Sequence, residues 1–291
     1  MGDRLAAANA AGFTALPPTI SLNGNNLFQT GTSSVPFSMT TSGPVKLSNI
    51  EGSSAADAIR REALAALIGH SYMPLMQDQY GVIGESSMLL SSRVRDALAD
   101  AGGISTEFPG NTLASQLRMI ARTIKASRSS AINHRRQIFF ASLGGFDTHD
   151  NQMTSQPRLF TYLSQALGAF RTALAEIGAL NNVVTFTMSD FGRTLNSNGN
   201  GTDHAWGGVQ LMMGGSTAKG GPLKGRRIYG SYPLLELNGT QSVGRGRMIP
   251  TTSTNQFGAT FARWMGVAPS ELSTIFPGLE NFATPTLDFL A

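Results

Sequence analysis

The sequence predicts an α/β protein built on a mostly parallel sheet, and three features carry that prediction. Three short apolar runs, "RQIFFASL" (136–143), "NVVTFTMS" (182–189) and "GVQLMMGG" (208–215), lack the polar alternation of a half-exposed strand. Continuous apolar strands belong to sheets covered on both faces. Between the first two lies "PRLFTYLSQALGAFRTALAEIGAL" (157–180), a long amphipathic helix. Strand, helix, strand in that order is the pattern of a parallel sheet with helical crossovers.

The chain before this core reads differently. Residues 17–50 are rich in turn formers and β-branched residues, which predicts short strands and hairpins. Residues 53–70 form a helix with Ser54 as N-cap and Leu64, Leu67 and Ile68 on one face. Residues 84–101 and 111–128 repeat the helical signature. In the latter, Leu113, Leu117, Ile120 and Ile124 recur at helical spacing, with Arg118, Arg122 and Lys125 outside. A last helix covers 254–266. The expected organisation is a front part, 1–135, of β-hairpins and helices packing on an α/β core, 136–291, the two making one unit. No internal repeat or low-complexity tail interrupts this order.

Composition narrows the function classes. The chain has 291 residues, 41% of them hydrophobic, enough for a substantial core. Charged residues are only 14% and the net charge is +4. The basic residues are scattered, and "HRRQ" (134–137) and "GRRIYG" (225–230) lack the interleaved aromatics of a nucleic-acid binder. They read as solvated faces and ion pairs, so no nucleic-acid partner is expected. There is no cysteine, which excludes disulfides, thiolate catalysis and cysteine-ligated zinc. No stretch approaches the roughly 20 apolar residues of a membrane span. Residues 1–16, with Asp3 and Arg4 near the start, do not read as a signal peptide.

The chemistry-bearing residues cluster behind the apolar runs. "GGFDTHDNQ" (144–152) follows the first, and "SDFGRTLNSNGNGTDHAWGG" (189–208) follows the second. Ligands of open α/β sheets bind outside the carboxyl ends of the strands. Asp147, His149, Asp150, Asp190, Arg193, Asp203 and His204 are therefore candidates for one site. Carboxylate and neutral imidazole suit a divalent metal such as zinc or manganese. In "DTH" the two side chains sit two apart and point the same way on an extended segment. At 203–204 one residue can bind while the other orients it. Arg193 is placed to hold an anionic oxygen. The bland alternatives are an N-cap role for Asp150 and a loop salt bridge between Asp190 and Arg193. His70 and His134, near helix ends, read as structural.

Three blocks, "GGFDTHDNQ", "VVTFTMSDFGRT" and "GTDHAWGGVQLMMGG", followed by "GRRIYG", resemble the domain-of-unknown-function family 1501, from about residue 45 onward. That family is placed in the alkaline phosphatase-like, sulfatase-like superfamily of bacterial proteins. The resemblance implies a doubly wound α/β sandwich with one or two metals at the carboxyl strand edge. It implies hydrolysis or transfer of phosphate or sulfate esters, and export to the periplasm through a twin-arginine signal. On this pattern Asp147 and His149 match the first metal loop, Asp190 the later Asp position and His204 the downstream His. Asp203 orients His204 or binds directly. Phe191 stands where the superfamily often has His. The upstream strand that carries the superfamily's nucleophile has no counterpart before residue 17. "GDRLAAANAAGF" resembles the helix in the middle of such proteins, so the expectation is a C-terminal fragment or truncated member. Ser189 and Thr148 are the available hydroxyls, with loop hydrogen bonding the alternative role for each. The functional expectation is a metal-dependent hydrolase-like domain acting on a small anionic ester. Its alternatives are a non-catalytic exported binding protein and an envelope structural protein.

Overall fold

The computed structural model describes residues 1–9, 16–70, 73–129, 134 and 136–291. The rest of the helix expected over 2–13, and Arg135 of "HRRQ", lie outside the described residues. The chain divides into two compact units. One comprises Met1, 104–118 and 142–291, and the other 2–103 and 119–141.

The second unit opens with α1 (Gly2–Asn9) and holds a three-stranded parallel sheet: β1 (Thr19–Ser21) at the centre, β2 (Phe37–Ser38) on one side and β3 (Ile138–Phe140) on the other. The expected hairpin in 17–50 is thus a parallel pair. Residues 22–36 are long enough for the crossover of a dozen or so residues that a parallel pair needs. The buried Gln29 stitches this arrangement together. Its amide donates to the carbonyls of Ile20 at 2.9 Å and Ile138 at 2.8 Å. Buried backbone acceptors left by so short a sheet are thereby satisfied.

Two helices follow. In α2 (Ala55–Ile68), Ser54 is the N-cap as expected, forming a reciprocal capping box with Asp57. The helix expected from 84 begins earlier, as α3 (Leu75–Asp100), directly after Pro74. Gly81 and Gly84 lie within α3 and turn their missing side chains toward Ile68 at the end of α2. A Cβ on Gly81 would fall 2.7 Å from the Ile68 carbonyl oxygen, so the glycines permit close packing rather than end the helix. In α4 (Thr112–Ser127), Leu113, Leu117, Ile120 and Ile124 are all buried, as their spacing predicts.

In the first unit, α5 (Gln152–Glu176) starts ahead of the Pro157 at which the sequence suggested its beginning. The strands after it are short: β4 (Val184–Phe186), β5 (Gly192–Ser197), β6 (Thr202–Ala205), β7 (Met212–Gly214), β8 (Ser242–Val243) and β9 (Arg247–Met248). They pair as β4 with β7, β5 with β6, and β8 with β9, all antiparallel. The mixed α/β character and the presence of parallel pairing agree with the sequence reading. The three apolar runs do not share one sheet among the described residues, because β3 pairs with β1 while β4 and β7 pair with each other. The physical reason lies in the connection 187–211. It holds the β5–β6 hairpin rather than a crossover helix, so β7 returns antiparallel to β4.

Closing the unit, α6 (Thr254–Trp264) is capped by a Ser253–Gln256 box, and α7 (Leu272–Ile275) follows. An aromatic core gathers Phe261 of α6, Leu223 and Phe289, with Phe186 of β4 stacked on Phe261 at 4.0 Å between ring centroids. No helix among the described residues is long and apolar enough to cross a membrane.

Candidate metal centre

The loop 144–151 and the β5–β6 hairpin build the site together. Thr148 is buried, and its carbonyl accepts from the Thr202 amide at 3.2 Å. The flanking Asp147 and His149 then point outward from the same stretch. At the hairpin tip, Asn198 donates to the His149 carbonyl at 3.0 Å while its own oxygen accepts from the Gly201 amide at 2.9 Å. Gly201 lies flat on the loop: a Cβ there would fall 2.3 Å from the Thr148 carbonyl oxygen. The Gly201→Ala variant is therefore expected to lose about 1–3 kcal/mol in urea denaturation, because backbone on both sides must move. A loss under about 0.5 kcal/mol would show that the loop and the tip are not in this close contact.

The hairpin register sets Arg193 opposite His204, and both side chains reach Asp147. Asp147 Oδ1 lies 3.0 Å from His149 Nε2 and 2.8 Å from His204 Nε2, and the two Nε2 atoms are 3.1 Å apart. Three donor atoms thus form a near-equilateral triangle. Ligand atoms around a cation at about 2.1 Å stand roughly 3.0–3.4 Å apart, so the triangle has the dimensions of one face of a coordination shell. All three side chains are about half exposed, which leaves the opposite face open. Asp147, His149 and His204 fit a divalent cation both in donor type and in spacing.

The neighbours hold these donors in place. His149 Nδ1 lies 3.3 Å from Asp203 Oδ1. A proton on Nδ1 facing that carboxylate leaves Nε2 as a lone pair aimed into the triangle. Among the described contacts, the Asp203 carboxylate thus sits beside His149. Its second oxygen pairs with Arg245, and Asn198 donates to Oδ1 at 3.3 Å. The Asn198 hydrogen bond, then the Arg245 charge, hold the Asp203 carboxyl below the usual carboxylate range. His204 is fixed differently. The Phe191 ring stacks on its imidazole, 3.9 Å between centroids and 14° from parallel. Hydrogen bonds from His204, then from Arg193, lower the Asp147 carboxyl in the same way.

Arg193 is largely covered and committed to the protein. Its Nη1 donates to Asp147 Oδ1 at 2.9 Å, its Nε to Thr202 Oγ1 at 3.0 Å, and its Nη2 to the Thr202 carbonyl. It braces Asp147 against β6. Asp190 is exposed and stands apart, outside the group formed by Asp147, His149 and His204. Asp150 does not cap α5, whose N-cap is Asn151 at φ 50°; its carboxylate accepts from the Asn151 and Asn200 amides instead. The two hydroxyls singled out in the sequence both have hydrogen-bond partners in the chain. Thr148 Oγ1 accepts from Gln156 at 3.3 Å, and Ser189 donates to the Phe191 carbonyl at 2.9 Å.

Sequence reasoning missed Arg245, Asn198 and the stacking role of Phe191. For Asn198 a signal existed, since "NGNG" (198–201) between polar runs is the mark of a hairpin turn. Arg245 gave none. It reaches Asp203 from the β8–β9 turn, where it adopts a left-handed φ of 61°.

Fold and site together define an α/β protein with an exposed carboxylate–imidazole cluster on a loop–hairpin junction. Residues 89–279 match the family described as protein of unknown function, DUF1501, and the chain belongs to that family. No curated protein and no solved structure matches it.

Proposed function

We propose that this chain is a metal-dependent hydrolase-like domain acting on a phosphate or sulfate ester, related to the alkaline phosphatase-like superfamily and exported to the periplasm. The single observation that supports the reading most is the convergence of Asp147 Oδ1, His149 Nε2 and His204 Nε2 within 3.1 Å of one another. A divalent cation held there, zinc or manganese by donor type, supplies Lewis acidity and lowers the pKa of water. The chain's own residues do the rest. Asp203 sets the tautomer of His149, Phe191 sets the ring plane of His204, and Arg193 keeps Asp147 ionised and aimed. The open side of the triangle receives the anionic ester. Asp190, exposed on the loop after β4, would serve a second metal position.

One observation favours a second reading, a non-catalytic exported binding protein with the same metal. Neither loop hydroxyl is set up as a nucleophile: Thr148 is buried, with its oxygen accepting from Gln156, and Ser189 gives its proton to the Phe191 carbonyl rather than to a base. Elemental mass spectrometry of the purified chain, followed by assays on aryl phosphate and aryl sulfate esters, separates the readings. Near-stoichiometric metal with ester turnover is the expected result. Metal without turnover selects the binding protein, and no metal after incubation with zinc and manganese overturns both.

A further inference from the structure

The C-terminal end of the first unit holds a cleft that the metal centre does not use. The chain leaves α6 at Trp264, turns at Gly266 with a φ of 91°, forms α7 and comes back along α6. Side chains of α6 fix the return. Gln256 donates to the Thr284 carbonyl at 2.6 Å, Thr260 Oγ1 accepts from the Leu287 amide at 2.8 Å, and Asn255 donates to the Pro277 carbonyl at 2.9 Å. Gly258 lets Phe276 close in, since a Cβ there would fall 2.7 Å from the Phe276 ring. The spacing of α6, α7 and the segment 279–286 is thereby set, and a cleft of about 180 Å³ lies between them.

Its lining divides by chemistry. Leu272 and Leu279, both almost fully buried, make an apolar floor, and Phe282 adds an aromatic wall. Around them stand Arg263, Glu280, Ser273 and Thr286. None of these four side chains has a hydrogen bond or ion pair within the chain, and Arg263 and Glu280 are not paired with each other. Elsewhere in this unit Arg193, Lys224 and Arg245 each hold a carboxylate. Opposite charges that line one small cleft without meeting leave both free for a ligand. An apolar pocket with a few convergent polar groups is the form of a small-molecule site.

We propose that this cleft binds a free α-amino acid with an apolar side chain. Arg263 takes the carboxylate, for which its guanidinium fork is shaped, and Glu280 takes the ammonium. The ligand side chain lies on Leu272 and Leu279 beside Phe282. Size agrees: an apolar cavity of about 150 Å³ holds benzene, so 180 Å³ takes a side chain such as that of leucine or phenylalanine, with the charged ends at the rim. Charge selects a zwitterion. A simple carboxylate is repelled by Glu280 and a simple amine by Arg263. No residue of the metal centre lines the cleft, so the inference stands or falls apart from the ester-hydrolase reading.

Ligand-observed NMR titration of the full chain with L-leucine and L-phenylalanine, in the presence of a chelator, tests the proposal. The expected result is saturable binding of at least one of the two. Leucinamide lacks the carboxylate and N-acetyl-leucine the ammonium, and each should bind about tenfold more weakly than leucine, the worth of one charge-assisted contact. Arg263→Gln should weaken leucine by a like factor and bind leucine and leucinamide alike. Glu280→Gln should bind leucine and N-acetyl-leucine alike. Both side chains are exposed and unpaired, so neither exchange disturbs the fold. No saturable binding of either amino acid up to about 10 mM overturns the proposal. So does binding that the two variants leave unchanged, because the ligand then sits elsewhere.

Discussion

The His149→Ala, His204→Ala double variant is expected to lose its divalent metal entirely, by elemental mass spectrometry, while keeping the circular dichroism of the parent. On the proposed reading these imidazoles give two of the three ligand atoms, and Asp147 alone gives one exposed carboxylate oxygen that Arg193 already occupies. The fold has little reason to suffer. His149 and His204 are about half exposed, and the hydrogen bonds that join their segments run from the Thr202 amide to the Thr148 carbonyl and from the Asn198 side chain to the His149 carbonyl rather than through the imidazoles. Loss of the Phe191–His204 stack costs no more than about 1 kcal/mol. Any ester turnover disappears with the metal. Full metal content in the double variant would place the ion elsewhere and remove the basis of the functional reading. A misfolded double variant, seen as a changed spectrum, would instead mean that the imidazoles hold the loop to the hairpin.

The site was legible in the sequence to the extent that it rests on local spacing. Asp147 and His149 share a side because they flank one buried residue, Thr148, on an extended segment, and period two requires that. The pairing of Asp203 with His149 was not legible, because neighbours on a strand face opposite sides and the choice of partner depends on how the hairpin lies on the loop. Arg245 lay further out of reach. It arrives because the turn 244–246 folds beside β5, where Leu195 donates to the Gly246 carbonyl and Asn196 to the Arg245 carbonyl. Backbone bonds of that kind leave no trace in side-chain pattern.

The fold divides along the same line. Helices with a strong apolar face, α4 and α6, stand almost where periodicity puts them. The strands do not reveal their partners, since runs of three paired residues carry no register information and an apolar run is equally at home in parallel and antiparallel pairs. The β5–β6 hairpin leaves no strand signal in the sequence, because "GRTLNS" and "TDHA" are mostly polar and lack apolar alternation. Polarity there serves the site: Arg193, Thr202, Asp203 and His204 are the residues that hold Asp147 and His149. Residues 53–68 show the converse failure. Their helix forms as expected, but none of its residues is buried.

The largest stability effect is expected at Phe289. Its side chain is fully buried and lies 5.2 Å from Phe261, 5.6 Å from Phe257 and 5.7 Å from Tyr229 between ring centroids. It comes from a turn close to the end of the chain rather than from a helix. The Phe289 carbonyl accepts from Lys224 at 2.9 Å, and Leu290 bridges to Leu223. Those backbone bonds hold the segment beside the core, and the ring fills the space they frame. Phe289→Ala removes the ring while the backbone bonds keep the walls apart, so the void cannot close fully. The loss is then the upper range for such truncations, about 3–5 kcal/mol by urea denaturation. Phe289→Leu, which keeps most of the volume, should cost less than half as much. Equal losses for the two would mean that aromatic contacts with Phe257, Phe261 and Tyr229, not filled volume, carry the stabilisation. A loss below about 1.5 kcal/mol for Ala would mean that the segment 287–290 detaches at little cost and the rings of α6 repack without it.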